Sequence, residues 1–137
     1  MVCYEMAKHP EVQEKLVAEL KTSIDQDSST PYTPEKLEAF EACSYLDAVC
    51  KEGLRLHPSV ITILERIVPS TGMVLGGRFY VPPGTIVAMQ ACSRHKDPEV
   101  FPDPLAFRPE RWLDENAKMK ESMLAFSTGP RNCVGQK

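Results

Sequence analysis

FSTGPRNCVGQK, Phe126 to Lys137, sets one cysteine among small and turn-forming residues, with an arginine two places before it. Gly129 and Gly135 give this loop backbone freedom, and Arg131 brings a positive charge close to Cys133. Four fates are open to such a cysteine. It can be a buried structural thiol, the commonest case, or a catalytic thiol, although His9, His57 and His95 give no recognisable base for it. A zinc site needs more sulfur or imidazole than the loop carries. The fourth fate is a single axial thiolate to a metal already held by something else, which calls for backbone N–H groups aimed at the sulfur.

The second constellation is KEGLR. Glu52 and Arg55 are three residues apart and share a helix face. An exposed pair there contributes only a few tenths of a kcal/mol. Their helix is leucine-rich, however, and Arg111 follows downstream in FRPERW. One carboxylate between two guanidinium forks would brace that helix against the later segment.

Around these motifs the chain reads as one modest domain of 137 residues, 42% apolar and 26% charged. HPEVQEKLVAELKTSI is an amphipathic helix with Pro10 in its first turn and Val12, Leu16, Leu20 and Ile24 along one face. DQDSSTPYT is a loop, and Thr33-Pro34 opens a short helix over Glu35 to Phe40. SYLDAVCKEGLRLH is a second firm helix, ended by Pro58, with Leu46, Val49, Gly53, Leu54 and Leu56 on its apolar side. Gly53 inside it implies a close neighbour. ITILERIV has strand composition, MVLGGRFYV is a hairpin around Gly76 and Gly77, and TIVAM is a further strand. DPEVFPDPLAFRPERW, with four prolines and with Phe101, Phe107 and Trp112 between them, is an ordered meander rather than a linker.

The net charge of -3 and the absence of a basic stripe exclude a nucleic-acid partner. Five cysteines with no CxxC point to a reducing compartment rather than a disulfide framework. No apolar run approaches the ~20 residues of a membrane span, and Glu5, Lys8 and His9 interrupt the start too early for a signal peptide. MVCYEMAK opens as though already inside a helix and CVGQK stops where an element should follow, so both ends read as cut from a longer chain.

FSTGPRNCVG resembles the haem-binding loop of the cytochrome P450 family, with Phe126, Gly129, Arg131, Cys133 and Gly135 at the family's spacing. KEGLR is similar to the family's Glu-x-x-Arg helix, and HKDPEVFPDPLAFRPERW to its arginine-bearing meander. Three matches in the right order are far more specific than any one of them. The resemblance implies a mainly α fold with a small β-sheet, residues 1–137 forming a partial domain truncated at both ends, with Met1 to Lys8 the tail of the family's central helix. It implies that Cys133 is the axial thiolate of haem b (iron protoporphyrin IX) and that Phe126 packs beside the ligand loop. Arg131, and Arg66 in LERIV, would meet the haem propionates. Glu52, Arg55 and Arg111 become a structural triad. Val60, Ile61 and Ile63 become candidate substrate contacts, with ordinary core the alternative.

The activity so implied is insertion of one oxygen atom from O2 into an apolar small molecule, with electrons from an NADPH-dependent reductase. Two other readings stand beside it. One is a truncated, inactive chain that at most binds haem or a partner weakly. The other is a haem-thiolate enzyme of isomerising or dehydrating type. A full-length parent is expected at the endoplasmic reticulum membrane, although this chain carries no anchor.

Overall fold

The computed structural model describes residues 1–23 and 33–136; residues 24–32 and 137, and the side chains of residues 35 and 36, lie outside the description. Ile24 and nearly all of the DQDSSTPYT loop fall outside it. Among the described residues there are six α-helices and two small antiparallel sheets.

The helices are α1 (Val2–Lys8), α2 (Pro10–Ser23), α3 (Pro34–Glu41), α4 (Ser44–Leu56), α5 (Ala91–His95) and α6 (Ala117–Ser122). Pro10 and Pro34 each open a helix, where the missing N–H costs nothing. The N-cap of α4, Cys43, makes no side-chain capping bond. The cap comes instead from α2: Glu19 Oε1 accepts from Tyr45 N at 2.8 Å and Oε2 from Leu46 N at 2.9 Å. A carboxylate at a helix N-terminus also meets the favourable end of the helix dipole. At α6, the Asn116 side chain accepts from Met119 N at 2.9 Å.

Helix α4 lies between two apolar clusters. One holds Val12 and Leu16 of α2 with Tyr45, Val49 and Phe107. The other holds Ala48, Val100, Phe101, Trp112 and Met119. The rings of the proline-rich segment therefore enter both clusters, which is why a stretch with little regular structure is ordered. Gly53 meets α1: a Cβ built there would collide with Val2 Cγ2 and lie 3.5 Å from Val2 Cβ. The expected apolar side of α4 is corrected in one respect. Leu46, Leu54 and Leu56 are only half-buried, while Glu52 and Arg55 are fully buried.

Strand β1 (Leu64–Ile67) is shorter than ITILERIV suggested and pairs antiparallel with β4 (Ile86–Met89), Leu64 opposite Met89. Between them, β2 (Met73–Leu75) and β3 (Phe79–Val81) form the expected hairpin. Gly76 and Gly77 turn it at φ of 57° and 67°, and Arg78 N donates to Leu75 O at 3.1 Å. Among the described residues, neither apolar cluster contains a strand residue. Ile67, Val74, Phe79, Tyr80, Ile86 and Met89 are all exposed. No helix among the described residues is long and apolar enough to cross a membrane.

Candidate functional site

The buried charges of α4 organise the site. Arg55 grips Glu52 with two bonds, Nε to Oε2 and Nη2 to Oε1, each 2.8 Å. Its remaining donors go to backbone carbonyls: Nη1 to His95 O at 2.8 Å and Pro104 O at 2.7 Å, Nη2 to Ala106 O at 3.2 Å. Arg111 Nε donates to Glu52 Oε1 at 3.1 Å, and its Nη1 and Nη2 reach Pro102 O and Asp103 O at 2.8 and 3.2 Å. Only one guanidinium is a fork on the carboxylate, then; Arg111 gives Glu52 a single bond and uses its other nitrogens on the meander. Two partners of Glu52 escaped the sequence reading, Trp112 Nε1 at 2.8 Å and Arg108 N at 3.0 Å.

Burial pushes the Glu52 carboxyl up, but the Arg55 bonds and charge, the Arg108 amide and Arg111 outweigh it and hold it below the ordinary carboxylate range. Burial leads in lowering Arg111, with Glu52 opposing. The segment these groups hold has no sheet ladder or long helix to satisfy its carbonyls. Guanidinium donors supply what secondary structure does not.

From this network the chain passes to the cysteine loop. His95, fully buried at the end of α5, has Nδ1 3.2 Å from Arg55 O, and Leu124 N donates to its Nε2 at 2.8 Å. Ser127 N then donates to Leu124 O at 3.0 Å, and Cys133 N closes the loop on Phe126 O at 2.8 Å. Positive φ at Ser127 (63°) and Gly129 (75°) bends the chain between these bonds.

Cys133 is exposed, so the buried structural thiol is overturned. A Cβ on Gly135 would lie 3.7 Å from Cys133 Sγ, an ordinary contact distance. The expected amide donors to the sulfur are absent among the described residues; the Cys133 amide itself is spent on Phe126. The catalytic-thiol alternative loses its base as well. His57 and His9 face Glu5, at 2.7 and 3.8 Å, and His95 is held as above. No group of three or more His, Cys, Asp or Glu among the described residues could hold a metal.

A hollow of about 390 Å³ opens beside the loop, lined by Leu64, Arg66, Val87 and Met89 of the first sheet and by Leu124, Ser127 and Thr128, among others. The structure thus brings Arg66 to the face where the cysteine loop starts. Arg66 Nη1 donates only to Glu65 O, at 2.8 Å, and Arg131 is exposed with no partner among the described residues. Phe126 is half-buried on the continuation of the loop. Val60, Ile61 and Ile63 are 46%, 62% and 54% exposed, so they are not core, and none is among the hollow's lining. Gln90 Nε2 ties their stretch down through Ile61 O at 2.7 Å.

Comparison with known proteins agrees with this arrangement. The chain is 40% identical over 135 residues to "Probable cytochrome P450 4d21" of Drosophila melanogaster, covering 96% of this chain and 25% of that protein. It is 39% identical over 137 residues to "Cytochrome P450 monooxygenase tndB" of Aspergillus flavipes, covering 99% and 27%. With "Lithocholate 6-beta-hydroxylase" of Mesocricetus auratus it shares 38% over 139 residues, covering 100% and 26%. The chain therefore spans about a quarter of the length of these curated relatives. The family profile described as Cytochrome P450 matches residues 1–137 throughout. With its buried Glu52–Arg55–Arg111 network and its exposed cysteine loop, this chain belongs to the cytochrome P450 family.

Proposed function

We propose that these residues form the thiolate-bearing side of a haem monooxygenase, with Cys133 as the axial ligand of haem b. The observation that carries this is an exposed thiol on a braced loop that, among the described residues, belongs to no group of three or more metal-ligating side chains. A protein that gives a metal one soft ligand suits a metal whose other ligands arrive with it. The surroundings fit such a group: Arg66 and Arg131 carry uncommitted guanidinium donors for carboxylates, and the hollow's lining is mainly apolar.

In this reading Cys133 holds the iron while Phe126 and Gly135 flank the sulfur. Gly129 keeps the loop's approach free of a side chain; nothing lies within 4 Å of where its Cβ would be. Arg66 and Arg131 orient the group through its propionates. Val60, Ile61 and Ile63 offer exposed apolar surface to a substrate. Glu52, Arg55 and Arg111 hold the scaffold and touch no reacting atom. Bound here, a haem-thiolate supplies oxygen activation: one atom of O2 enters an apolar small molecule, the other leaves as water, and a reductase delivers two electrons from NADPH. A longer parent chain would work at the endoplasmic reticulum membrane, a reading supported by likeness to animal and fungal relatives.

By themselves the 137 residues are expected to turn over no substrate, a reading supported by the chain's spanning about a quarter of the length of its curated relatives. The test is a haem titration of the chain, then reduction and carbon monoxide, comparing wild type with Cys133→Ser. A red-shifted Soret band that disappears in the variant is the expected result. Binding indifferent to the substitution would overturn the assignment of Cys133.

A further inference from the structure

We infer that His95 is a positioning residue for the cysteine loop, acting as a neutral imidazole with its proton on Nδ1; the inference rests on the assignment of Cys133 as the ligand. The geometry fixes the tautomer. Leu124 N–H donates to Nε2 at 2.8 Å, so Nε2 must carry a lone pair, and the ring's proton lies on Nδ1, facing Arg55 O at 3.2 Å. One rigid ring thus accepts from the loop and donates to α4. The same residue's carbonyl accepts from Arg55 Nη1 at 2.8 Å, so α4 and α5 are tied in both directions.

Leu124 is where the loop's path begins. Its carbonyl takes Ser127 N at 3.0 Å, the turn that puts Ser127 at φ 63°, and the next bond, Cys133 N to Phe126 O at 2.8 Å, sets the cysteine. Releasing Leu124 N–H frees the near end of that series while leaving Arg55, Glu52 and Arg111 bonded to one another. His95 therefore transmits the rigidity of the buried charge network to Cys133 without touching it.

Two substitutions separate the ring's two tasks. His95→Gln places an acceptor near the Nε2 position and gives up the donor to Arg55 O. His95→Asn keeps a donor near Nδ1 but is too short to reach Leu124 N. Amide hydrogen exchange on the 137-residue chain reads the loop without haem. The expectation is that His95→Asn lowers protection at Leu124, Ser127 and Cys133 roughly tenfold, the worth of one lost hydrogen bond, with α4 amides unchanged. His95→Gln should keep loop protection close to wild type. With haem and carbon monoxide, His95→Gln should retain the red-shifted band and His95→Asn should lose it as Cys133→Ser does.

If both variants loosen the loop equally, or neither does, the ring is mere packing and the inference fails. Nitrogen-15 shifts of the wild-type imidazole provide an independent test, since a proton on Nε2 at neutral pH would overturn the inference whatever the variants do. Failure of wild type to show the red-shifted band strikes at the proposed function instead, and exchange still decides the role of His95.

Discussion

Arg55→Lys keeps the buried charge and removes its shape. In the native structure every one of the five N–H donors of Arg55 is used: two on Glu52 and one each on His95 O, Pro104 O and Ala106 O. A lysine ammonium has three donors on one atom, so at least two of these five bonds are lost; Glu52 keeps Trp112, Arg108 and Arg111, while the carbonyls of His95, Pro104 and Ala106 depend on Arg55. Each buried group left unsatisfied costs about 1–3 kcal/mol, which makes the expected loss about 2–6 kcal/mol. Whole domains are stable by only about 5–15 kcal/mol, so the change should be plain in an equilibrium urea titration. Trp112, the sole tryptophan, reports it directly because its Nε1 donates to Glu52 Oε2 at 2.8 Å. A Coulombic account predicts little effect, since the charge is conserved. A loss below about 1 kcal/mol, within the range of ordinary surface changes, would refute the assignment of Arg55 as the organiser of the meander's carbonyls.

Two further outcomes follow from single contacts. Gly53→Ala gains up to about 1 kcal/mol of helix propensity but drives a Cβ into Val2 Cγ2, a stiff branched side chain, so overpacking of about 1–3 kcal/mol should win; adding Val2→Ala should restore the loss in thermal melts, and an undiminished loss would sink the explanation. Burial, and then the charge of Arg55 against the opposing bond to its carbonyl, lowers His95 from 6.5 to about 4. The unfolded chain therefore takes its proton first on acidification, so His95's contribution is whole above pH 6.5 and is lost progressively as pH falls to about 4, about 3 kcal/mol in all at roughly 1.4 kcal/mol per unit. Glu52, lowered from 4.5, acts only below that value. The stability advantage of wild type over His95→Gln should shrink as pH falls from 6.5 to 4.5, and parallel curves would contradict the burial of a neutral ring.

The features legible in the sequence are those carried by local period or backbone need. Helices α2 and α4 announce themselves through proline at their ends and four-residue spacing, and the paired glycines 76 and 77 mark a turn that needs positive φ. Glu52 and Arg55 are neighbours by helix geometry alone. The sequence could not show that Trp112 and the Arg108 amide would join them, because those bonds depend on the path between four prolines. Helix α5, five residues long, is too short to have a period. Asn116 before AKMK is the one local signal for α6, as its N-cap. The strands are legible as strands from their β-branched composition, which does not show that Ile67, Val74, Phe79, Tyr80, Ile86 and Met89 stand exposed. His95 carries no local signature at all, since its importance arises only where α4, α5 and Leu124 converge.

That convergence explains why the centre of this structure is charged. A buried ion pair can often be exchanged for apolar residues without loss. Here the exchange would fail, because the guanidinium groups of Arg55 and Arg111 also serve the carbonyls of residues 95, 102, 103, 104 and 106. An apolar isostere would strip donors from these part-buried carbonyls, of which only Asp103 O keeps another, Ala106 N, in a segment that cannot form a ladder to replace them. Glu52 is then required to balance the guanidinium charge, and Trp112 and Arg108 to fill its remaining lone pairs. Aromatic rings in the two apolar clusters exclude water from the arrangement. The result is a backbone fixed by directional bonds, where packing alone would tolerate sliding. Through His95 and Leu124 this fixity reaches the loop that carries Cys133, whose exposed Sγ is the proposed metal ligand.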